Sequence, residues 1–118
     1  MPEFDFEKLE VYQKGLSFVK EVYRVTSTFP KAEQFGITGQ FRRAAMSVPL
    51  NIAEGVGRDS FAERKCFYYI ARGSVYECVP ILSMANQLSL IKDDVHRELL
   101  DDCHRLARML NGLIASIK

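Results

Sequence analysis

Four stretches of the chain carry apolar residues at every third or fourth position, the spacing that places them on one face of a helix. The predicted helices run from 6 to 28, from 38 to 58, from 60 to 90 and from 93 to 117. No run alternates β-branched and polar residues as a strand would. Short connections between long helices join antiparallel neighbours. The pattern therefore predicts an all-α protein, an up-down-up-down antiparallel four-helix bundle in a single domain over residues 1–118.

The first predicted helix carries two apolar stripes instead of one. One stripe contains Leu9, Tyr12, Leu16, Val19 and Tyr23, and the other contains Val11, Gly15, Phe18, Val22 and Val25. Two stripes make an apolar face wider than one neighbouring helix would cover in a small monomer. We therefore expect this helix to contribute to a contact between copies of the chain.

Prolines fall inside two of the predicted helices. Pro49 removes the donor for the Ala45 carbonyl, which predicts a kink there. Alternatively, Ser47 caps a restarted helix with Pro49 in its first turn. Pro80 is expected to bend the third helix in the same way.

The boundary between the second and third helices is marked by small and polar residues. Gly55 and Gly57 are placed as the end of the second helix. Ser60 followed three residues later by Glu63 fits a capping box, in which each side chain accepts from the other residue's backbone amide. The third helix is therefore expected to begin at this serine.

A polar stripe also follows the second helix. It contains Gln40, Arg43, Ser47, Asn51 and Glu54, and Glu77 lies on the third helix. Glu54 and Glu77 could be ligands of a two-metal site, but neither has the histidine three residues later that such bundles normally use. The interpretation we favour is a buried or half-buried network in which Arg43 or Asn51 pairs with one of the two glutamates. No metal is predicted.

Enzyme signatures are missing from the sequence. His96 and His104 are eight residues apart, about 12 Å along a helix, too far to share a metal ion. Cys103 and His104 are adjacent and point in different directions, so they do not form a catalytic pair. Neither a phosphate-binding glycine loop nor a dinucleotide motif occurs. We expect a protein without catalytic residues or cofactors.

Charge is balanced over the whole chain but not along it. Sixteen basic and fifteen acidic residues give a net charge of +1, whereas residues 31–72 carry seven basic and four acidic residues. The candidate nucleic-acid ligands in this basic third are Arg42, Arg58, Arg64, Lys65 and Arg72. Arginine near Phe67, Tyr68 and Tyr69 favours a single-stranded nucleic-acid surface. The alternative is a solvated basic face with its aromatic side chains in the core.

The chain shows no apolar run of about 18 residues that would span a membrane, and its first residues are acidic rather than basic and then apolar. Cys66, Cys78 and Cys103 are odd in number and form no close pair in the sequence. Reduced core thiols are therefore predicted. We expect a cytoplasmic protein with no membrane contact.

The motif QFRRAAMSVPLNIAEG at residues 40–55 resembles the signature of the bacterial four-helix-bundle proteins encoded in intervening sequences of 23S rRNA genes. The segments FEKL at 6–9 and IARGSVYE at 70–77 resemble that family's other landmarks. The resemblance implies a four-helix bundle, assembly as a homopentamer and no enzymatic activity. A similar protein, the accessory variability protein of diversity-generating retroelements, binds reverse transcriptase and nucleic acid through a basic surface.

The family pattern falls on residues that the polar stripe already contains, and it adds three on the third helix. These additional signature positions are Gly73, Ser74 and Glu77. The resulting hypothesis is a non-enzymatic ring that binds RNA, or DNA, through basic residues summed over its protomers. The alternative hypothesis is an adaptor that docks a protein partner such as a polymerase.

Overall fold

The protein is described by a computed structural model over residues 4–117, and these residues form four α-helices. They are α1 Glu10–Thr26, α2 Gly39–Val56, α3 Phe61–Gln87 and α4 Asp93–Ala115. Each helix packs against the next, most extensively α2 against α3, and α1 and α4 close the bundle with the fewest contacts. The predicted antiparallel four-helix bundle is confirmed. Met1, Pro2, Glu3 and Lys118 of the predicted domain lie outside the described residues.

The core is built from one face of each helix, as the apolar spacing predicts. The fully enclosed side chains come from all four helices and include Phe18, Phe41, Val48, Ile52, Leu82, Leu106 and Leu110. Burying a side chain of this size stabilises the fold by about 1.5–3 kcal/mol relative to leaving it in water. No charged residue of the described part is in the fully buried class.

The first helix begins later than predicted. Residues Asp5–Lys8 form a short 3₁₀ helix, and Leu9 then takes an extended conformation with φ −75° and ψ 128° before α1 starts. The 3₁₀ segment places the ring of Phe6 against Tyr12, with centroids 5.0 Å apart. This segment therefore covers part of the apolar stripe that contains Tyr12, and only Leu16 and Tyr23 of that stripe remain exposed.

The connection between α1 and α2 contains short helices that the sequence does not predict. A 3₁₀ turn spans Lys31–Glu33 and a π-helical turn spans Gln34–Thr38. Gly36 interrupts the latter with φ −108° and ψ −118°. This path leaves Phe35 93% exposed, the most exposed of the large apolar side chains in the described residues.

Both helices that contain a proline remain continuous. One α-helix runs from Gly39 to Val56 through Pro49, so the predicted restart at Ser47 is wrong. Pro49 is buried. A Cβ added at Gly15 of α1 would lie 3.5 Å from the Cβ of Pro49. The backbone of α1 therefore approaches α2 at the proline. Pro80, by contrast, is exposed within a continuous α3.

The serine half of the predicted capping box forms at the start of α3. Ser60 is the residue before the helix, and its Oγ accepts a hydrogen bond from the Glu63 amide at 3.1 Å. At the other side of the same connection α2 ends at Val56, and Gly57 follows with φ −75°. A right-handed conformation at this glycine shows that α2 ends without the left-handed turn that usually favours glycine.

Two of the three cysteines lie in the core and one does not. Cys78 and Cys103 are buried, whereas Cys66 is exposed, so the prediction of core thiols is wrong for Cys66. Burial raises the pKa of the Cys103 thiol to about 12 and raises that of Cys78 further. All three are free thiols.

We expect one thiol of the folded protein to react with a thiol-specific reagent and all three to react after unfolding in urea. Only Cys66 is accessible, and the raised pKa of the two buried thiols keeps them protonated and unreactive. Colour release from a disulfide reagent at pH 8 measures the number of reacting thiols. Rapid reaction of two or three thiols in the native protein would contradict the burial of α3 and α4 against each other.

Candidate nucleic-acid interface

The connection between α2 and α3 brings two of the predicted basic residues together. The Nε of Arg64 donates to the backbone carbonyl of Arg58 at 2.6 Å. Both guanidinium groups lie over aromatic rings, Arg58 at 4.7 Å from the Phe67 centroid and Arg64 at 5.6 Å from that of Phe61. Arg58 and Arg64 therefore form one cationic cluster with Phe61, which is exposed, and Phe67, which is half-buried, and we call this cluster the end patch.

Arg58 is also the one residue of the five candidates with an ion pair among the described residues. Its Nη2 lies 3.0 Å from Oε2 of Glu54, and both side chains are largely in water. An exposed pair of this kind stabilises the fold by about 0.3–0.5 kcal/mol, so it leaves the arginine free to exchange partners. An open cavity of about 740 Å³ lies beside the pair, lined by Phe6, Leu50, Ala53, Glu54, Gly57 and Arg58.

Arg72 lies on another side of the bundle, in a second cluster of arginine and aromatic rings. Its guanidinium carbon is 5.0 Å from the centroid of Tyr69 and 5.8 Å from that of Tyr76. Its Nη1 donates to Oδ1 of Asn111 on α4 at 2.8 Å. The sequence analysis does not assign Asn111 to the site, because the pattern of α4 marks only its apolar face. Tyr76 could have been found as the residue one turn after Arg72.

Lys65 stands between these two clusters along α3. It follows Arg64 directly and precedes Tyr69 by four residues, one helical turn. Its side chain is half-buried, and no carboxylate of the described residues pairs with it. The end patch and the Arg72 cluster are therefore connected by a further cation.

Arg42 is separated from the other four candidates. It lies between α2 and α1, where its Nε donates to Oγ1 of Thr26 at 2.8 Å and its guanidinium covers the ring of Tyr23 at 4.4 Å. Thr26 is buried, and Arg42 is half-buried. These contacts indicate that Arg42 holds α1 to α2.

The predicted polar network divides into two clusters. In the first, which is half-buried, Oγ of Ser74 lies 2.7 Å from Oγ of Ser47, and Nδ2 of Asn51 donates to that serine oxygen at 2.9 Å. This cluster joins α2 to α3 by neutral hydrogen bonds. The cluster contains no charged group. A charge buried in a core of this size would destabilise the fold by several kcal/mol.

The second cluster is exposed and contains the charged members. Nε2 of Gln40 donates to Glu77 at 3.0 Å, and Nη2 of Arg43 donates to Oε1 of Gln40 at 3.2 Å. Glu54 belongs to neither cluster, because Arg58, four residues later on the same helix, pairs with it. The expectation that Glu54 pairs with Arg43 or Asn51 is therefore wrong. The charged members lie at the surface because the α2–α3 face is open to water.

An apolar depression lies at the far end of the same α2–α3 face. It encloses about 360 Å³ and is lined by Phe35, Gly36, Ile37, Gln40, Arg43, Ile81, Met84 and Leu88. Phe35, Met84 and Leu88 are exposed by 93%, 49% and 61%. We call these three side chains, with Ile37 and Ile81, the apolar end.

The described residues contain neither a metal site nor a membrane-spanning helix. No group of three or more His, Cys, Asp or Glu side chains within residues 4–117 is close enough to hold a metal ion. Across the same part of the chain, each helix is too short or too polar to cross a bilayer. The candidate binding surfaces of the described residues are therefore the clusters of cations with aromatic rings and the apolar end.

The model of the 23S rRNA-intervening sequence protein family matches residues 7–112 of this chain. The fold is similar to that of a protein of unknown function from the S23 ribosomal protein family of Bacteroides thetaiotaomicron VPI-5482, whose crystal structure extends to 1.70 Å resolution. The two have a TM-score of 0.82 at 20% identity, over 88% of this chain and 97% of that one. No curated protein sequence matches this chain. Because the family model covers most of its length, the chain belongs to the 23S rRNA-intervening sequence protein family.

Proposed function

We propose that this protein is a non-enzymatic bundle that assembles into a ring, a homopentamer, and binds RNA through arginine and lysine side chains repeated on each protomer. The observation that carries the proposal is the pairing of the candidate arginines with aromatic rings. Arg58, Arg64 and Arg72 lie over aromatic rings that are exposed or half-buried, and only Arg58 of the three has a carboxylate partner in the described residues.

This pairing suits a phosphate ligand for a physical reason. A guanidinium group has five N–H donors in its plane, and stacking on a ring uses its flat face and leaves those donors at its edge. One protomer supplies few such cations and has a net charge of only +1. A ring repeats each cation by its symmetry, and each phosphate that a protein neutralises adds to the affinity and to its dependence on salt.

We expect the protein to bind a fluorescently labelled RNA in 50 mM salt and to lose affinity steeply as salt rises. If five protomers each neutralise about one phosphate of a single strand, the dissociation constant rises about 100-fold between 50 and 200 mM salt. Fluorescence anisotropy with a single-stranded RNA and a hairpin RNA measures this slope.

A matched pair of variants makes the binding measurement specific to the site. Arg64→Ala is expected to weaken binding and lower the slope. Arg24→Ala should change neither, because Arg24 is already paired with Glu21 at 2.7 Å on α1. Absence of binding at 50 mM salt, or an affinity that does not change with salt, would overturn the RNA-binding proposal.

The apolar end supports the assembly part of the proposal. An apolar cluster that includes a phenylalanine 93% exposed to water is typical of a surface that another protein covers. Large apolar side chains are exposed elsewhere in the described residues too, among them Phe4, Leu50 and Phe61, but α1 exposes only Leu16 and Tyr23. The apolar end is therefore the stronger candidate for a contact between protomers than the first helix.

We expect light scattering to give a mass near five times 13.5 kDa, and Leu88→Glu to give a folded protein of lower mass. A charge in an apolar contact opposes association, whereas the same charge costs little on an exposed side chain of a monomer. Circular dichroism checks that the variant remains helical. A wild-type mass of 13.5 kDa at all concentrations would overturn the ring and would favour an adaptor whose apolar end docks a different protein.

A further inference from the structure

Four side chains with affinity for nucleic acid form one stripe along α3. Lys65, Tyr69, Arg72 and Tyr76 are spaced by four, three and four residues, which places them on the same face of the helix. Tyr69 is 46% exposed and Tyr76 is 52% exposed, and Arg72 lies between them over both rings. The stripe therefore alternates cations with accessible aromatic rings.

The neighbouring helix continues this surface. Asn111 of α4 accepts the hydrogen bond from Arg72, which fixes the side of α4 that lies next to the stripe. Arg108 and His104 precede Asn111 by three and seven residues, so helical spacing places both on that same side. Both are exposed. We call this surface, formed by the α3 stripe and these three residues of α4, the α3–α4 face.

Two of the acidic residues of α4, Glu98 and Asp102, lie on the side of the helix away from Asn111. Glu98, Asp101 and Asp102 line a cavity with Glu21 and Arg24 of α1. Burial there raises the pKa of Asp102, and nearby carboxylates, first among them Glu21, act in the same direction. Glu98 and Asp102 therefore face α1, whereas Asp101 is exposed and precedes His104 by three residues and Arg108 by seven, which places it on their side of α4.

Three further carboxylates of α3 and α4 also lie away from the α3–α4 face. Glu77 points to α2, where Gln40 donates to it, and Asp94 lines a cavity with Arg24 and Thr28 of the α1 end. Asp93 accepts from Asn86 at the connection between α3 and α4. The α3 stripe is thus cationic and aromatic, and Asp101 is the acidic side chain that shares the side of α4 carrying His104 and Arg108.

We propose that the α3–α4 face binds single-stranded RNA, with bases stacked on Tyr69 and Tyr76 and the backbone phosphates held by Arg72, Lys65 and Arg108. The inference rests on the proposed function and adds to it the strandedness of the ligand and the residues that recognise it. Single strands are selected because only their bases are free to leave a stack and pack on an aromatic side chain.

The contacts of Arg72 prepare it for this role. Within the described residues it donates one hydrogen bond, to Asn111, and forms no ion pair. Its other N–H groups remain available to a phosphate. The two tyrosine rings and the amide hold the side chain in one position before the ligand arrives, which lowers the entropy that binding must overcome.

The test compares single-stranded and duplex RNA of the same sequence for binding to the full chain by anisotropy. Tyr69→Ala and Tyr76→Ala are each expected to weaken binding of the single strand about 10-fold, the loss of one base–aromatic stack. Tyr69→Phe keeps the ring and should restore binding, and duplex binding should change less than threefold. Tyr23→Ala is the control, since Tyr23 lies under an arginine on the α1–α2 side.

The measured salt slope separates this site from the general proposal. The tyrosine variants should keep the wild-type slope, whereas Arg72→Ala should lower it, because the arginine contacts a phosphate and the tyrosines stack on bases. If the tyrosine variants bind the single strand as tightly as the wild type, and Arg64→Ala does not, the α3–α4 site is overturned and RNA binding at the end patch stands. If the wild type binds neither RNA, the proposed function itself fails.

Discussion

Phe41→Ala is expected to lower the free energy of unfolding by about 3–5 kcal/mol. Phe41 lies in α2 with no exposed surface, enclosed by side chains of the neighbouring helices. Removing its ring leaves a cavity that the surrounding helices fill only in part, so the lost contacts are not replaced. Urea denaturation followed by circular dichroism at 222 nm measures the change, with wild type and variant at one protein concentration because association adds to apparent stability.

Phe61→Ala provides the matched control, since it removes the same ring from the surface. Phe61 is the first residue of α3 and is 56% exposed, and the guanidinium of Arg64 lies over its ring. Its loss should cost no more than about 1 kcal/mol, the value of an exposed cation–aromatic contact. Equal losses for the two variants would contradict the placement of Phe41 in the core.

Gly55→Ala is expected to lower the free energy of unfolding by about 1–3 kcal/mol, although alanine is the better helix former. A Cβ at this position would lie 2.6 Å from Cε1 of Tyr68 and 3.2 Å from Cβ of Phe67. Tyr68 is only 3% exposed, so its ring has little room to move. The last turn of α2 and the first turns of α3 would have to separate, which thermal unfolding at fixed concentration detects as a lower midpoint.

Gly73→Ala is the control for this close approach. Gly73 lies within α3, is exposed, and has no atom within 4 Å of an added Cβ. Alanine there should therefore raise the free energy of unfolding by about 0.5–1 kcal/mol through helix propensity alone. A stabilising Gly55→Ala would mean that α2 and α3 do not meet at this glycine.

Periodicity predicts the helices well because burial on one side of a helix leaves a repeat in the sequence. It fails where the chain is held by local backbone geometry. Leu9 fits the apolar repeat, yet its extended conformation separates the 3₁₀ segment from α1. The segment around Phe35 contains too few residues for a periodic signal, and its π turn depends on how α1 and α2 meet.

The two glycines at the end of α2 show a different limit of sequence reading. Gly55 is predicted as a helix end, but it lies inside the last turn of α2, and the contact with Tyr68 explains why no larger residue fits. The sequence identifies a position at which a side chain is disfavoured. Only the packing of α3 shows whether the glycine is required by its backbone conformation or by the lack of space for a side chain.

The candidate site is predictable in composition and not in arrangement. The sequence identifies arginine, lysine and aromatic side chains in the basic third, and Arg58 and Arg64 do meet. It does not separate Arg42, which joins α1 to α2, from Arg72, which faces α4. That separation depends on the rotation of each helix about its axis, which a difference of one residue changes by about 100°.

Among neighbouring helices of the bundle, the first and last pack against each other least extensively. A cavity of about 130 Å³ lies between them, lined by core side chains Phe18 and Leu106 together with polar residues of both helices. Local opening costs the least free energy where the fewest apolar contacts must be broken. Amide protons of α1 should therefore exchange with solvent before those of α2 and α3, and the hairpin of these two central helices forms the persistent unit of the native ensemble.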